Sequence, residues 1–439
     1  MEMRRQNDIV AFKMHGQNPV AFHARNLEVA QVSEQVWKSM APTTFDNSFL
    51  MRMEPHEHGV DLEAYESLND WMLEENESVT TRNFDKGVRT LTINITQICN
   101  LHCTYCAAGG DGSYGDPVAK ITVEKTLPQI KFFMEKLSPG DNFNFILLGG
   151  EPLLYPEAIR LIGSYARGLA EEKQATCSFN VITNGTLIND SNLQMLVDLN
   201  ANITFSIDGA PEQHDKARPQ KNGQGSSVAV LAGLEKLLSR KKEIGAVILH
   251  AVFSKSNLEV EKAYRFFSQF DVDGFEFTFD VTESDSDCNR RFMQEMTAVA
   301  ALAFEIGGEK ELRKISLFNG YFKALDEQIR TENYCGSGKS LLSLDSRNKI
   351  YTCPLDVGFK SEQVGDGVDL AEGALNSYQD SLITKNNCQT CWARFMCGGG
   401  CMFVHKSLTK NKHKKHISFC ERTRYLISLA VSYYERCRG

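Results

Sequence analysis

No apolar run in this chain approaches the roughly 20 residues that a membrane-spanning helix needs, so no part of it is expected to cross a bilayer. The N-terminus, MEMRRQNDIVAFKMHG, has basic residues but no apolar signal core, and the expected location is therefore the cytoplasm. Positive charge is in deficit as well. The chain has 48 Lys and Arg against 56 Asp and Glu, a net charge of -8, which argues against bulk binding of nucleic acid. Internal repeats and low-complexity linkers are missing too. What is left is a globular composition, 42% hydrophobic and 24% charged over 439 residues, enough for two or three domains without covalent staples.

Cysteine, by contrast, is plentiful. Thirteen cysteines without an export signal are hard to explain as disulfides, because the cytosol keeps thiols reduced, so metal or cluster ligation is the better reading. Cys99, Cys103 and Cys106 lie in LTINITQICNLHCTYCAAGG, directly after a strand-like run. Thiolates at this spacing can close over one face of an iron–sulfur cluster and leave one iron without a protein ligand. A zinc knuckle, which wants a fourth ligand, is the alternative at this point. A second group comprises Cys388, Cys391, Cys397, Cys401 and Cys420, with Cys335 and Cys353 upstream. Cys177, Cys288 and Cys437 stand alone and read as ordinary buried or surface thiols.

Residues 1–85 form a leading α+β segment, with short alternating runs in DIVAFKM and PVAFHARNLEVAQV and a helix over SEQVWKSM capped by Ser33. This strand-strand-helix pattern suits either half of a small peptide-binding module or edge strands on the main domain. The acidic stretch from Asp61 to Glu77 reads as an exposed connecting helix. Over 86–308, strands and helices alternate: LTINITQI, NFNFILLG, TCSFNVITN, NITFSID, AVILHAVF and GFEFTFDV, with helical patterns between them. In VAVLAGLEKLLSRK, Val228, Leu231, Leu234 and Leu238 are expected to share the core-facing side. The pattern predicts an α/β fold whose parallel sheet curls into a partial (β/α)6 barrel, with chemistry at the carboxyl ends of the strands. Residues 309–334 read as a bridging helix, and 335–420 as a cysteine-rich domain too poor in apolar periodicity to hold itself without metal centres. The stretch 421–439 is an amphipathic helix expected to pack on the barrel.

GGEP at Gly149–Pro152 follows the second strand, ITNGTLI closes the third, and SIDGAPEQHDKAR follows the fourth. With the cysteine triplet and Tyr105, these motifs make the chain resemble the radical S-adenosylmethionine (SAM) enzymes. The resemblance implies a cluster on Cys99, Cys103 and Cys106 whose open iron binds the methionine end of SAM; reductive cleavage then yields a 5'-deoxyadenosyl radical. Tyr105, Gly149, Gly150, Glu151, Ser206 and Arg218 are the implied cofactor contacts, a hydroxyl and a guanidinium being suited to a carboxylate. Asp208 and Asp356 are the candidate acid–base residues, although Asp208 could equally cap the following turn, and His214 reads as a structural histidine.

The C-terminal cysteines are similar to the SPASM pattern of peptide-modifying radical enzymes. That similarity implies auxiliary clusters on Cys335, Cys353 and Cys401 and on Cys388, Cys391, Cys397 and Cys420, hence three [4Fe-4S] clusters with SAM. The family's glycine five residues before the second of these cysteines is Asn348 here, the residue type next most tolerant of a left-handed turn. Only three cysteines serve the first auxiliary cluster. In anaerobic sulfatase maturases, which make formylglycine, an aspartate base directly follows that second cysteine; here Pro354 does, and Asp356 comes two residues late. The expected function is therefore maturation of a ribosomally made precursor peptide with a leader, by a side-chain crosslink, carbon–carbon or thioether. Formylglycine formation or another protein-modifying radical reaction is the alternative, and a multi-cluster iron–sulfur electron carrier the alternative of another class. The basic run HKSLTKNKHKKH, His405 to His416, reads as a solvated loop or as a dock for an acidic leader or a reducing partner such as flavodoxin or ferredoxin.

Overall fold

In a computed structural model of the chain, residues 1–57, 60–84, 86–106 and 120–439 are described. The strands, in chain order, begin with β1 (Glu2–Gln6), β2 (Ile9–Lys13), β3 (Val20–His23), β4 (Glu28–Gln31), β5 (Ala41–Thr43) and β6 (Thr80–Thr81). They continue with β7 (Thr90–Thr96), β8 (Asn142–Gly149), β9 (Thr176–Thr183), β10 (Asn202–Ser206), β11 (Val247–Phe253) and β12 (Gly274–Phe279). The last are β13 (Ile329–Arg330), β14 (Leu341–Leu344), β15 (Lys349–Tyr351), β16 (Gln363–Asp366) and β17 (Asp369–Leu370). These elements gather into two compact units that are discontinuous in sequence. One comprises Met1–Asn83, Thr282–Cys335 and Asp380–Gly439, the other Phe84–Val281 and Gly336–Gln379.

The second of these units is built on a sheet of order β12-β11-β10-β9-β8-β7-β14-β15-β16-β17. Strands β7 to β12 run parallel, as the sequence pattern predicts, and β14 adds parallel to β7 before β15, β16 and β17 turn antiparallel. Buried parallel strands normally read as continuous apolar runs. Here β7 instead alternates, with Leu91, Ile93 and Ile95 on one face and buried Thr92, Asn94 and Thr96 on the other. The helix Ser227–Ser239 presents Val230, Gly233, Leu234 and Leu237 to the core, whereas Val228, expected there, is 83% exposed. The reason is close packing: a Cβ on Gly233 would stand 2.0 Å from the carbonyl oxygen of Gly185, so the helix turns its glycine, not its valine, to the loop after β9. Asn348 does hold the left-handed turn, at φ +66°. Its side-chain amide donates to Thr126 and Gln129 at 2.7 and 2.8 Å, which secures a conformation that asparagine adopts less readily than glycine.

The other unit carries an antiparallel sheet of order β4-β3-β2-β1-β5. The leading segment thus has four strands, not two, before the helix Glu34–Lys38, whose cap is Ser33 as expected. The helix Leu62–Leu73, capped by Asp61, buries Ala64 and Leu68, so the acidic stretch is amphipathic and not wholly exposed. Helix Ser286–Leu312 runs past the expected boundary at 308, with its break at Gly307 and Gly308. The C-terminal helix Ile417–Arg436, expected on the barrel, packs on helices Ser286–Leu312 and Ser316–Asp326 and on β3 and β4 of its own unit, its buried apolar residues Leu426, Ile427, Leu429, Ala430 and Val431 occupying more than one face. Among the described residues no helix is long and apolar enough to cross a membrane.

Candidate active site

The carboxyl ends of β7 to β12 open into a cavity of about 410 Å³ lined by Cys99, Cys103, Tyr105, Cys106, Gly149, Gly150, Glu151, Ser206 and Arg218. All the residues singled out for the first cluster and for the cofactor therefore converge. Backbone shape enforces part of this. A Cβ on Gly149 would meet the Thr96 carbonyl oxygen at 2.1 Å, and one on Gly150 the Ile98 carbonyl oxygen at 2.1 Å, so the turn after β8 lies directly against the cysteine loop. Glu151 ties that turn to the next strand. Its carboxylate accepts from the Thr183 hydroxyl at 2.7 Å and from the backbone N–H groups of Asn184 and Leu153 at 2.8 and 3.0 Å. Burial nevertheless pushes it up to about 7, against those bonds.

Arg218 enters the cavity on the carboxylate of Asp208. Its Nε lies 3.0 Å from Oδ2 and a terminal nitrogen donates to Oδ1 at 3.1 Å. Tyr105 donates its hydroxyl to the same carboxylate at 2.5 Å, the Val252 N–H donates at 2.9 Å, and the guanidinium sits 5.4 Å from the Tyr105 ring centre. Burial alone would lower Arg218, but Asp208 outweighs it and keeps the guanidinium charged. Asp208 is fully buried and holds Arg218 and Tyr105 in place. His214 is a satisfied core histidine: Nδ1 accepts from the Asp208 N–H at 3.3 Å, Nε2 lies 3.0 Å from the Ser226 hydroxyl, and burial lowers it to about 4. Pro354 and Leu355 line the cavity, and Asp356 is buried next to them in the same short turn.

Burial pushes Cys103 up to about 12 and also raises Cys99, so a cationic centre that binds these thiols must displace their protons. The cavity fits such a centre with a polar ligand beside it, because the Asn94 side-chain oxygen lines it, buried and without a hydrogen-bond partner. Residues 93–267 match the model of the radical SAM superfamily. The chain carries a radical SAM domain. An uncharacterised protein of Methanocaldococcus jannaschii is 26% identical over 312 residues, 70% of this chain and 96% of that protein. A serine-type anaerobic sulfatase-maturating enzyme of Klebsiella pneumoniae is 26% identical over 329 residues, 69% of this chain and 78% of the enzyme. Native anSMEcpe with bound AdoMet and the Kp18Cys peptide aligns at a TM-score of 0.64 and 18% identity, over 80% of this chain and 99% of that one, a likeness of fold.

The cavity contains further residues that motif reading did not single out. Asn184, in ITNG, reaches the Cys99 sulfur at 3.8 Å and the Asn100 side chain at 2.9 Å. Asn94, His250, Thr278 and Asp280 line the cavity, and the His250 ring nitrogen lies 3.1 Å from the Thr278 hydroxyl. Their signal in the sequence is period-two polarity inside strands that are otherwise apolar, which marks an inward polar face.

Outside the radical SAM domain, Cys388, Cys391, Cys397 and Cys420 line one void together. Gly398, Gly399 and Gly400 carry the chain from Cys397 to Cys401 with φ of +66°, +86° and +85°, a run of left-handed backbone that only glycine adopts readily. Burial raises Cys388 to about 11 and raises Cys397 and Cys420 too. Cys335 and Cys401 lie in the unit of the antiparallel sheet and Cys353 in the unit of the parallel one. Among the described residues no three Cys, His, Asp or Glu side chains converge tightly enough for a single metal ion.

Proposed function

We propose that this protein is a radical SAM/SPASM maturase that modifies a ribosomally made precursor peptide, joining two side chains in a carbon–carbon or thioether crosslink. One hydrogen atom leaves to the 5'-deoxyadenosyl radical and the second leaves as a proton, its electron passing to an auxiliary cluster. The observation that carries this reading is the meeting of Cys99, Cys103 and Cys106 with Gly149, Gly150, Glu151, Ser206 and Arg218 in one cavity at the strand ends. Its volume, about 410 Å³, falls in the range of small-molecule sites. With a four-iron cluster and SAM bound there, reduction supplies the 5'-deoxyadenosyl radical.

The chain's own residues bind and orient. The three thiols hold the cluster, and the open backbone at Gly149 and Gly150 offers carbonyl oxygens to an ammonium group. Arg218, kept charged by Asp208 and aligned by Tyr105, faces a carboxylate, with the Ser206 hydroxyl beside it. The remaining inward polar face, His250, Thr278 and Asp280, fronts the substrate. Four-iron clusters on Cys388, Cys391, Cys397 and Cys420 and on Cys335, Cys353 and Cys401 complete the set of three. The partners are the precursor peptide with its leader and a one-electron reductant such as flavodoxin or ferredoxin.

Formylglycine formation is the second reading, favoured by the sulfatase-maturating relatives. Against it stands Pro354, a cavity residue at the position where that chemistry needs an aspartate base. The test begins with protein purified without oxygen, which should hold about twelve irons with matching sulfide per chain. Reduced protein should convert SAM to 5'-deoxyadenosine, and replacing Cys99, Cys103 and Cys106 by Ala should abolish this while about eight irons remain. A precursor peptide encoded nearby should then lose the mass of two hydrogens, about 2 Da, for each crosslink. Conversion of a cysteine or serine peptide to formylglycine, with no crosslinked product, would establish the second reading instead.

A further inference from the structure

The void lined by Cys388, Cys391, Cys397 and Cys420 is surrounded by cations, and part of that charge comes from the far end of the chain. Arg5, on β1, is 1% exposed and donates to the carbonyl oxygens of Asn7, Phe49 and Thr390, each at 2.6 Å. Thr390 directly precedes Cys391. Lys415 lines the void and donates to the carbonyl of Asn387, directly before Cys388, at 2.6 Å. Two cations are thus each fastened to the residue preceding a thiol. Arg424 also lines the void, bonds to Cys391 and is anchored on the Phe45 carbonyl at 2.6 Å. Arg394 lines it too, paired with Asp8 at 2.8 Å. Among the described residues no carboxylate lines the void, and Asp8, the one that approaches through Arg394, is shared with Arg25. Burial lowers Arg5 only to about 10, which leaves it charged at neutral pH.

His405 also lines the void. It is fully buried, and its Nδ1 accepts from the His416 N–H at 3.4 Å. The ring proton therefore sits on Nε2, where the Gly399 backbone is its hydrogen-bond partner. A Cβ on Gly400 would stand 2.5 Å from that nitrogen, so the glycine makes the room it occupies.

We propose that Arg5, Arg424 and Lys415 form a cationic shell that raises the reduction potential of the centre held by Cys388, Cys391, Cys397 and Cys420, so that the N-terminal sheet, through β1, sets that centre's redox poise. This rests on the reading that these thiols hold a four-iron cluster. Four thiolates give such a cluster a net negative charge, one-electron reduction adds another, and buried cations stabilise the reduced form more than the oxidised one. These are positioning residues: they act on the potential and touch no substrate.

The test is a mediated redox titration followed by electron paramagnetic resonance, on the full chain with Cys99, Cys103 and Cys106 replaced by Ala to remove the first cluster's signal. Arg5→Gln, Arg424→Gln and Lys415→Glu should each move one couple to more negative potential, by about tenfold in the reduced-to-oxidised ratio or 59 mV per charge removed, and an unshifted couple in Arg5→Gln would overturn the role of the N-terminal sheet. Lys415→Met should move it half as far as Lys415→Glu, and Arg424→Lys should restore it. Lys415 is partly exposed, so its variants test the charge effect without disturbing the core. Unshifted couples in Lys415→Glu and Arg424→Gln proteins that retain about eight irons would overturn the shell while leaving the cluster reading intact. Zinc in place of iron at this centre would overturn both.

Discussion

Asp208 accepts four hydrogen bonds or ion-pair contacts, from Tyr105, Val252 and two nitrogens of Arg218, so its value lies in what it holds. Asp208→Asn leaves a buried guanidinium without its counter-charge, and the expected loss of stability is about 3–5 kcal/mol. Tyr105→Phe removes one bond to a charged group and should cost about 1.5–3 kcal/mol. Urea midpoints of the two variants check this order; a more damaging Tyr105→Phe would refute it. Glu151 gives a pH signature. Its pKa is about 7 in the fold, against about 4.3 in an unfolded chain. The folded state therefore binds this proton more tightly, so the stability it contributes is whole below the unfolded value and is lost as pH rises towards 7. Between pH 5 and 7, Glu151→Gln should gain about 2–3 kcal/mol on the parent protein. Parallel stability curves for parent and variant would show that Glu151 ionises normally.

Among the elements, helix Ser227–Ser239 shows how glycine overrides an apolar count. Val228, Leu231, Leu234 and Leu238 have the spacing of a face, yet the contact with the Gly185 carbonyl turns the helix onto Gly233. Gly233→Ala must push apart the helix and the loop that carries Asn184, at an expected cost of about 1–3 kcal/mol. At Gly168, in helix Pro156–Glu172, a Cβ would meet nothing within 4 Å. There Gly168→Ala should stabilise by about 0.4–1 kcal/mol, through helix propensity and a less flexible unfolded chain. Thermal melts of the pair should shift in opposite directions, and the same sign in both would refute the packing argument.

At the scale of the molecule, the cysteine-rich segment shares a core with the leading sheet. Trp392 is fully buried, with its ring centre 5.3 Å from that of Phe12 and 6.3 Å from that of Phe22. Met396, Ile383, Cys388 and Cys391 belong to the same cluster as Val10 and Val20. A segment poor in apolar periodicity thus borrows its core from the other end of the chain. Phe12→Ala should cost about 3–5 kcal/mol. It should also lower the iron retained per chain by about four, read by iron analysis after gel filtration. Full iron content in a destabilised Phe12→Ala protein would show that the centre is independent of the sheet.

The sequence by itself determined the six parallel strands and the cysteine triplet at the end of the first, because short-range spacing and alternating polarity govern those features, while the glycines and the arginine that meet the triplet were legible through the resemblance of their motifs. The left-handed turn at Asn348 was legible because the resembling family has glycine there and asparagine is the next residue type to tolerate it. Only the tertiary structure decided that β14 extends the parallel sheet, that Asp208 clamps Arg218 and Tyr105, and that Arg5 lies against the residue before Cys391. Those contacts join positions up to 385 residues apart. No local periodicity encodes such a pairing: which buried cation reaches which buried thiol is settled by how the cores close.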